Sequence, residues 1–395
     1  MTLPIRQTAV YYLAFILLGL SSALLGPTLN VLAEHTGSTL GAISIVFTTY
    51  SVGYLLGSAL AGRVYDRFRG HPMAAGCLVL SGALNLLIPE LRALWALLAI
   101  QLLLGVVFAV VDVGCNTLLV WAHGSKVGPY MNGLHLFFGV GALLAPVLIA
   151  LMLANQIDVR WAYRAAGLAV LPGALALWRT PSPHHPETVA HVGGSPRATS
   201  NRLIAWICVF FFFIVALETS VTGWVFTYAK AYGISEVTAA AITSGFWASF
   251  TIGRLLGIPI AARVGPSVIL SVDLAMCVAA GLTLLAGAGS EWSIWLGTLL
   301  AGLGVASAFA TMLTYAETRM AISGAITGWF FVGVSAGAMI VPWSIGQAFE
   351  RWGPTMVPIT LVAVSLASTA IFAIISRSKY IPSSAAPVLE SRQVV

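Results

Sequence analysis

The chain has 395 residues, 59% of them hydrophobic and only 8% charged, where a soluble domain carries about 25% charged residues. Together with a mean hydropathy of +0.94, this excludes a soluble enzyme. The net charge of +6 comes from basic residues in short inter-helix loops, so it does not point to nucleic acid.

A membrane-spanning helix needs about 20 apolar residues. Twelve such spans are predicted at 9–33, 39–61, 72–89, 93–121, 129–153, 160–178, 203–230, 236–260, 266–288, 292–314, 323–348 and 355–376. The first run is too long for a signal peptide and lacks a clear small-residue cleavage site, so it reads as a retained span. Between spans 6 and 7 lies RTPSPHHPETVAHVGGSPRATSNR, rich in Pro, Ser, Gly and His; it reads as a flexible linker, and His184, His185 and His191 as linker residues, not metal ligands. The expected organisation is a six-helix bundle over 1–178, a linker over 179–202, a second bundle over 203–378 and a tail over 379–395. Cys77, Cys115, Cys208 and Cys277 fall inside apolar runs and read as small buried residues. Fourteen Lys and Arg residues fall on the side of the termini, against Arg92, Arg160, Arg164, Lys230 and Arg351 on the other. By the positive-inside rule both termini are cytoplasmic. That places the chain in the plasma membrane, or the inner membrane of a bacterium.

The halves repeat. GYLLGSALAGRV at 53–64 aligns without gaps on GRLLGIPIAARV at 253–264, and GALLAP at 141–146 on GAMIVP at 337–342. Two parallel six-helix repeats are the plan of a transporter with a central site between bundles. The Gly53-xxx-Gly57 and Gly253-xxx-Gly257 spacings allow close helix approach.

The loop GRVYDRFRG at 62–70 resembles the signature loop of the major facilitator superfamily, which implies an all-α integral membrane fold of twelve helices in two pseudo-symmetric bundles. In that resemblance Asp66 and Arg67, with Arg63, belong to a charge relay at the inner gate; Arg254 and Glu317, near Arg319, read as further inner-gate pairs. Within the superfamily, DVGCN at 112–116 resembles the acidic-x-x-x-Asn motif of the fucose permease group. The stretches 26–62, 218–229 and 246–265 resemble the related sodium-dependent glucose transporter branch. The chain departs from the fucose permease group at span 1, where GLSSALLGP offers Ser21 and Ser22 but no acid. That argues against a proton mechanism built on two carboxylates.

Asp112 sits deep in span 4, where a charged side chain costs about 2.5–3.5 kcal/mol. Asn116 lies four residues on, on the same helix face, which continues through Gln101, Gly105 and Phe108. Asn132 and His135 offer a polar stripe on span 5. The resemblance places polar residues there, and Asp112, Asn116, Asn132 and His135 are expected to converge. Asp112 with Asn116 reads as a coupling-ion site, for Na+ by hard oxygen ligands or for H+ by titration; the bland alternative is a static hydrogen-bonded pair. In the second half, Glu218 lies mid-span. Sugars are held by carboxylate and amide hydrogen bonds with an aromatic plate against the ring, so Glu218, Trp224, Tyr228, Trp247 and Trp329 are candidate substrate residues alongside Gln101, Asn132 and His135. Gly223 is a candidate helix break. Trp95, Trp161, Trp292 and Trp352, near span ends, read as interfacial belt residues.

No phosphate-binding loop is present in the sequence, so transport is expected to be secondary. The expected function is symport of a sugar such as a hexose with a cation, Na+ ahead of H+, by a monomer. No cofactor is expected beyond a coupling ion, and no nucleic acid. A drug or metabolite exporter driven by proton antiport is the second reading, with Ala145 before Pro146 in place of an exporter-type Gly-Pro. A non-transporting sensor is the third.

Overall fold

The computed structural model describes residues 2–68, 70–183, 201–320 and 324–377. The histidines of the linker and the tail from 378 lie outside the described residues.

The first rod is α1 (Leu3–Ser22) continued by α2 (Leu25–Thr36); the second is α3 (Leu40–Ile43) continued by α4 (Ile45–Arg67). Then follow α5 (Gly70–Leu87), α6 (Leu94–His123), α7 (Gly128–Ala154), α8 (Trp161–Trp178), α9 (Asn201–Ala231), α10 (Glu236–Ala261) and α11 (Pro266–Ala286). The tenth rod is α12 (Glu291–Ala306) with α13 (Ala308–Glu317), and α14 (Gly324–Trp352) and α15 (Met356–Arg377) complete the set. α1 starts ahead of the expected 9 because Pro4 occupies its first turn, where proline's missing N–H costs nothing. Ten rods are long and apolar enough to cross a membrane. The other two, α8 and α10, carry Arg164 and Arg254. The chain is therefore a multi-pass, all-α membrane protein.

The repeat in sequence is a repeat in packing. In the first half α4 packs on α6, α1 on α7 and α5 on α8; in the second half α10 packs on α12, α9 on α14 and α11 on α15. Each pair in one half corresponds to a pair in the other. Aligned glycines do the same work. A Cβ on Gly53 would strike the Leu102 carbonyl of α6, and one on Gly253 the Ala306 side chain of α12. A Cβ on Gly141 would strike the Ile16 carbonyl of α1, and one on Gly337 the Phe212 carbonyl of α9. Van der Waals packing is the main force holding helices together in lipid, so close backbone approach substitutes for the hydrophobic drive available in water.

The bundles meet along two equivalent seams, α7 with α10 and α4 with α14. A third contact joins α2 to α9. Arg6 and Gln7 bond to the carbonyls of Arg179 and Pro181, so the N-terminus and the start of the linker share one end of the molecule. At the opposite end the bundles are stitched together. Glu350 accepts from the Gly41 amide at 2.7 Å, and Gln347 donates to the Gly41 carbonyl at 2.6 Å. Ser44 and Thr48 donate to the carbonyls of Trp343 and Met339. Asn30 donates to Thr227 at 3.1 Å. Trp95, Trp161, Trp292 and Trp352 are all exposed at this end, as belt residues would be.

Candidate functional site

Beneath this seal, between the bundles, lies a cavity of about 340 Å³, within the size range of small-molecule sites, about 300–1,000 Å³. Both halves line it. Asp112 enters from α6, where Tyr54 of α4 donates to its Oδ2 at 2.8 Å. The Asn116 side-chain NH2 donates to Asp112 Oδ1 and to the Asp112 carbonyl, both at 2.9 Å. His135 enters from α7, edge-on to Phe15 at 5.8 Å between ring centroids.

From the second half come Glu218, Thr219 and Thr222 on α9, Trp247, Phe250 and Arg254 on α10, and Ser335 and Ala338 on α14. The Arg254 guanidinium lies 4.6 Å over the Phe250 ring, and its Nε has no partner. The Trp247 indole N–H is buried without a partner. Pro342 cannot supply the N–H that the Ala338 carbonyl would otherwise accept, leaving a backbone acceptor near the cavity wall. An aromatic chain runs across the seam: Phe108 to Phe138 at 6.2 Å, then Phe138 to Trp247 at 6.1 Å. The cavity thus holds two carboxylates, one guanidinium, an imidazole, several hydroxyls and an aromatic wall. That chemistry binds polar solutes; it contains no nucleophile–base pair arranged for covalent work.

A family model, "Major Facilitator Superfamily", matches residues 11–342. The chain belongs to this superfamily. It is similar to the sodium-dependent glucose transporter 1A of Mus musculus, at 26% identity, covering 85% of this chain and 88% of that protein. The Homo sapiens sodium-dependent glucose transporter 1 is 26% identical over 84% of this chain and 71% of its own length. Among solved structures, a nucleoside transporter, NupG, superposes with a TM-score of 0.71 at 16% identity, covering 96% of this chain and 100% of its own. A D-xylose–proton symporter superposes with a TM-score of 0.74 at 14% identity, covering 96% and 98%. At these identities the solved structures establish the fold: two six-helix bundles of the major facilitator kind. The protein is a transporter, not an enzyme.

Within this superfamily frame, the expected site residues divide. Asp112, His135, Glu218 and Trp247 meet at the cavity. Trp224 does not. It is fully buried, bonded through its indole N–H to the Pro342 carbonyl at 2.9 Å and stacked on Phe349. Tyr228 is likewise fully buried and donates to the Leu284 carbonyl at 3.0 Å. Both fasten helices of the second bundle. Gly223 does not break α9, which runs unbroken through it. Trp329 is 62% exposed and away from the cavity. Asn132 is exposed, short of the cavity on α7. Gln101 is buried beside a separate small pocket of the first bundle. Asn116 turns its nitrogen, not its oxygen, toward Asp112, so it offers no second oxygen ligand on that side.

Of the expected inner-gate residues, Arg63, Arg67 and Glu317 are exposed, and the Asp66 side chain lies outside the described residues. Arg254 is not a gate residue in this structure but part of the cavity wall, and Arg319 bonds to the Ile375 and Ser376 carbonyls. Sequence reasoning missed Tyr54, Tyr50 and Ser335, whose polar groups gave no periodic signal of their own. Because Trp224 packs rather than binds, Trp224→Ala should cost about 3–5 kcal/mol of stability. It should appear as a fall in monodisperse yield and melting temperature, with substrate affinity of the surviving protein unchanged; a selective loss of affinity at normal stability would contradict this.

Proposed function

We propose that the protein is a secondary active sugar transporter of the cytoplasmic or inner membrane, with both termini cytoplasmic, importing a hexose-class sugar as a monomer in symport with a cation, Na+ ahead of H+. The observation that carries the reading is the pairing, in one cavity, of the Glu218 carboxylate with the partnerless Trp247 N–H and its ring face. A carboxylate accepts from sugar hydroxyls, an indole N–H donates to one, and the ring packs on the C–H face. The relatives named as sodium-dependent glucose transporters support the sugar and the ion. Asp112 is the coupling carboxylate in this reading, held by donors from Tyr54 and Asn116. The side sealed by Glu350 is then the outer side, and the conformation is closed to the exterior.

Uptake of labelled sugars into proteoliposomes, under a Na+ gradient or a pH gradient, tests the reading. Glu218→Gln and Trp247→Phe, which keeps a ring in the wall but removes the indole N–H, should each weaken sugar binding by about 1–3 kcal/mol, or roughly 5- to 150-fold, with melting temperature little changed. Normal sugar affinity in both variants would move the site elsewhere. Proton-driven extrusion of non-sugar solutes would favour the exporter reading.

A further inference from the structure

The first bundle contains a second, smaller void of about 50 Å³, room for a few water-sized spheres. It adjoins the main cavity, sharing Ser22, Tyr50 and Phe108 with it. Its polar lining comes from α1, α4, α5 and α6, with Tyr163 of α8, whose hydroxyl is paired with Thr28, and its serines and asparagine share one bias. Asn85, 1% exposed, spends its amide N–H groups on Ser21 Oγ and the Ser81 carbonyl, both at 2.9 Å, and its Oδ1 has no partner. Ser22 gives its proton to the Gly19 carbonyl and Ser81 gives its own to the Leu78 carbonyl. Their oxygens keep free lone pairs. Tyr50 Oη is buried without a partner, and Gln101, 3% exposed, adds an amide.

A buried polar group without a partner is costly. Here the Asn85 N–H groups and the Ser22 and Ser81 hydroxyl protons are already committed within the bundle, while the acceptor oxygens of these three residues are left facing a common void. Such a set wants a positive charge or a strong donor. The lining holds hard oxygens and no carboxylate, imidazole or thiolate, and no group of three or more His, Cys, Asp or Glu that could hold a metal exists among the described residues. A neutral oxygen cage suits a monovalent ion; a divalent ion would need carboxylates to offset its desolvation. Tyr50 also lines the main cavity together with Asp112, so that carboxylate stands close by without entering the cage.

We propose that this pocket is a Na+ site, formed by Asn85, Ser22, Ser81, Tyr50 and Gln101, with Asp112 as the neighbouring charge. The proposal rests on the cation-coupled reading above and gives the ion a resting place distinct from the Asp112 carboxylate. Occupancy reaches the sugar cavity through Tyr50 and Ser22, which belong to both.

The test is Na+-dependent thermal stabilisation of the purified full-length protein, titrating NaCl against choline chloride at constant ionic strength. Sugar binding is measured in parallel. Wild type should be stabilised by Na+ and not by choline. Asn85→Leu and Gln101→Leu should each weaken the apparent Na+ affinity by about tenfold or more. Asn85→Asp keeps the oxygen and adds charge, so it should retain or tighten Na+ binding; this variant also separates loss of a ligand from loss of folding. If Asp112→Asn abolishes the Na+ effect while Asn85→Leu and Gln101→Leu keep wild-type affinity, the pocket is overturned and cation coupling stands. If Na+ does not stabilise wild type but sugar binds and a pH gradient drives uptake, the pocket and the choice of ion both fall, while the sugar reading survives.

Discussion

Asp112→Asn is expected to abolish gradient-driven accumulation while leaving substrate exchange across the membrane measurable. The carboxylate sits on α6 at the cavity wall, with Tyr54 donating to Oδ2 and Asn116 to Oδ1. An amide in its place is nearly isosteric and can keep the Tyr54 bond through its own oxygen, so the packing survives. What it lacks is the charge. Without it, a cation at or near this point loses its electrostatic partner, and a proton has no carboxylate to ride on. Exchange needs only the sugar wall on α9 and α10, which the substitution does not touch. Counterflow of labelled sugar in proteoliposomes, compared with concentrative uptake under an imposed gradient, reads the two quantities separately. Accumulation at the wild-type level would remove Asp112 from coupling and leave it as a fastening between α4 and α6.

The combined Glu350→Ala, Gln347→Ala substitution should shift the resting conformation toward one opened at the sealed end. Glu350 holds the Gly41 amide at the start of α3, and Gln347 holds the Gly41 carbonyl. Hydrogen bonds to charged groups contribute about 1.5–3 kcal/mol and neutral ones about 0.5–1.5. Removing both should shift the equilibrium by about 2–4 kcal/mol, from roughly 30- to almost 1,000-fold. Neither residue lines the cavity, so intrinsic sugar contacts are spared. Spin-label distances between the ends of α2 and α14, measured without substrate, should lengthen in the double variant. An unchanged distance distribution would mean that packing, and not these bonds, keeps this end closed.

The repeat was the most legible part of the chain, because helix pairing depends on small residues whose positions survive in sequence. Gly53 and Gly253, or Gly141 and Gly337, could be aligned by eye and stand at equivalent contacts. Asp112 and Glu218 were legible for a different reason: charge in an apolar run needs a polar neighbourhood. Arg254 carries the same signal but in sequence reads as lying at a helix end, although α10 continues past it to Ala261. Trp224 and Tyr228 show the limit of reading residue type without geometry. At about 100° per residue, Trp224 lies about 120° around α9 from Glu218 and Tyr228 about 80° from it, whereas Thr222 is about 40° away. Only Thr222 of the three shares the cavity with Glu218. Tyr54 could not be found from one helix at all, since its role depends on the register between α4 and α6.

The two seams between the bundles are equivalent by position but unlike in substance. The one between α4 and α14, with α3 beside it, is laced with directional hydrogen bonds at one end. The other, between α7 and α10, is a contact of aromatic rings and small groups, Phe138 on Trp247 and Gly139 against Thr251, and no hydrogen bond joins these two helices among the described residues. Ring contacts roll without breaking; hydrogen bonds at fixed length do not. By its contacts the first seam is built as a latch and the second as a hinge. The bundles are therefore expected to swing about an off-centre pivot instead of rocking symmetrically, with the widest arc on the side of the helices that carry Gly41 and Glu350.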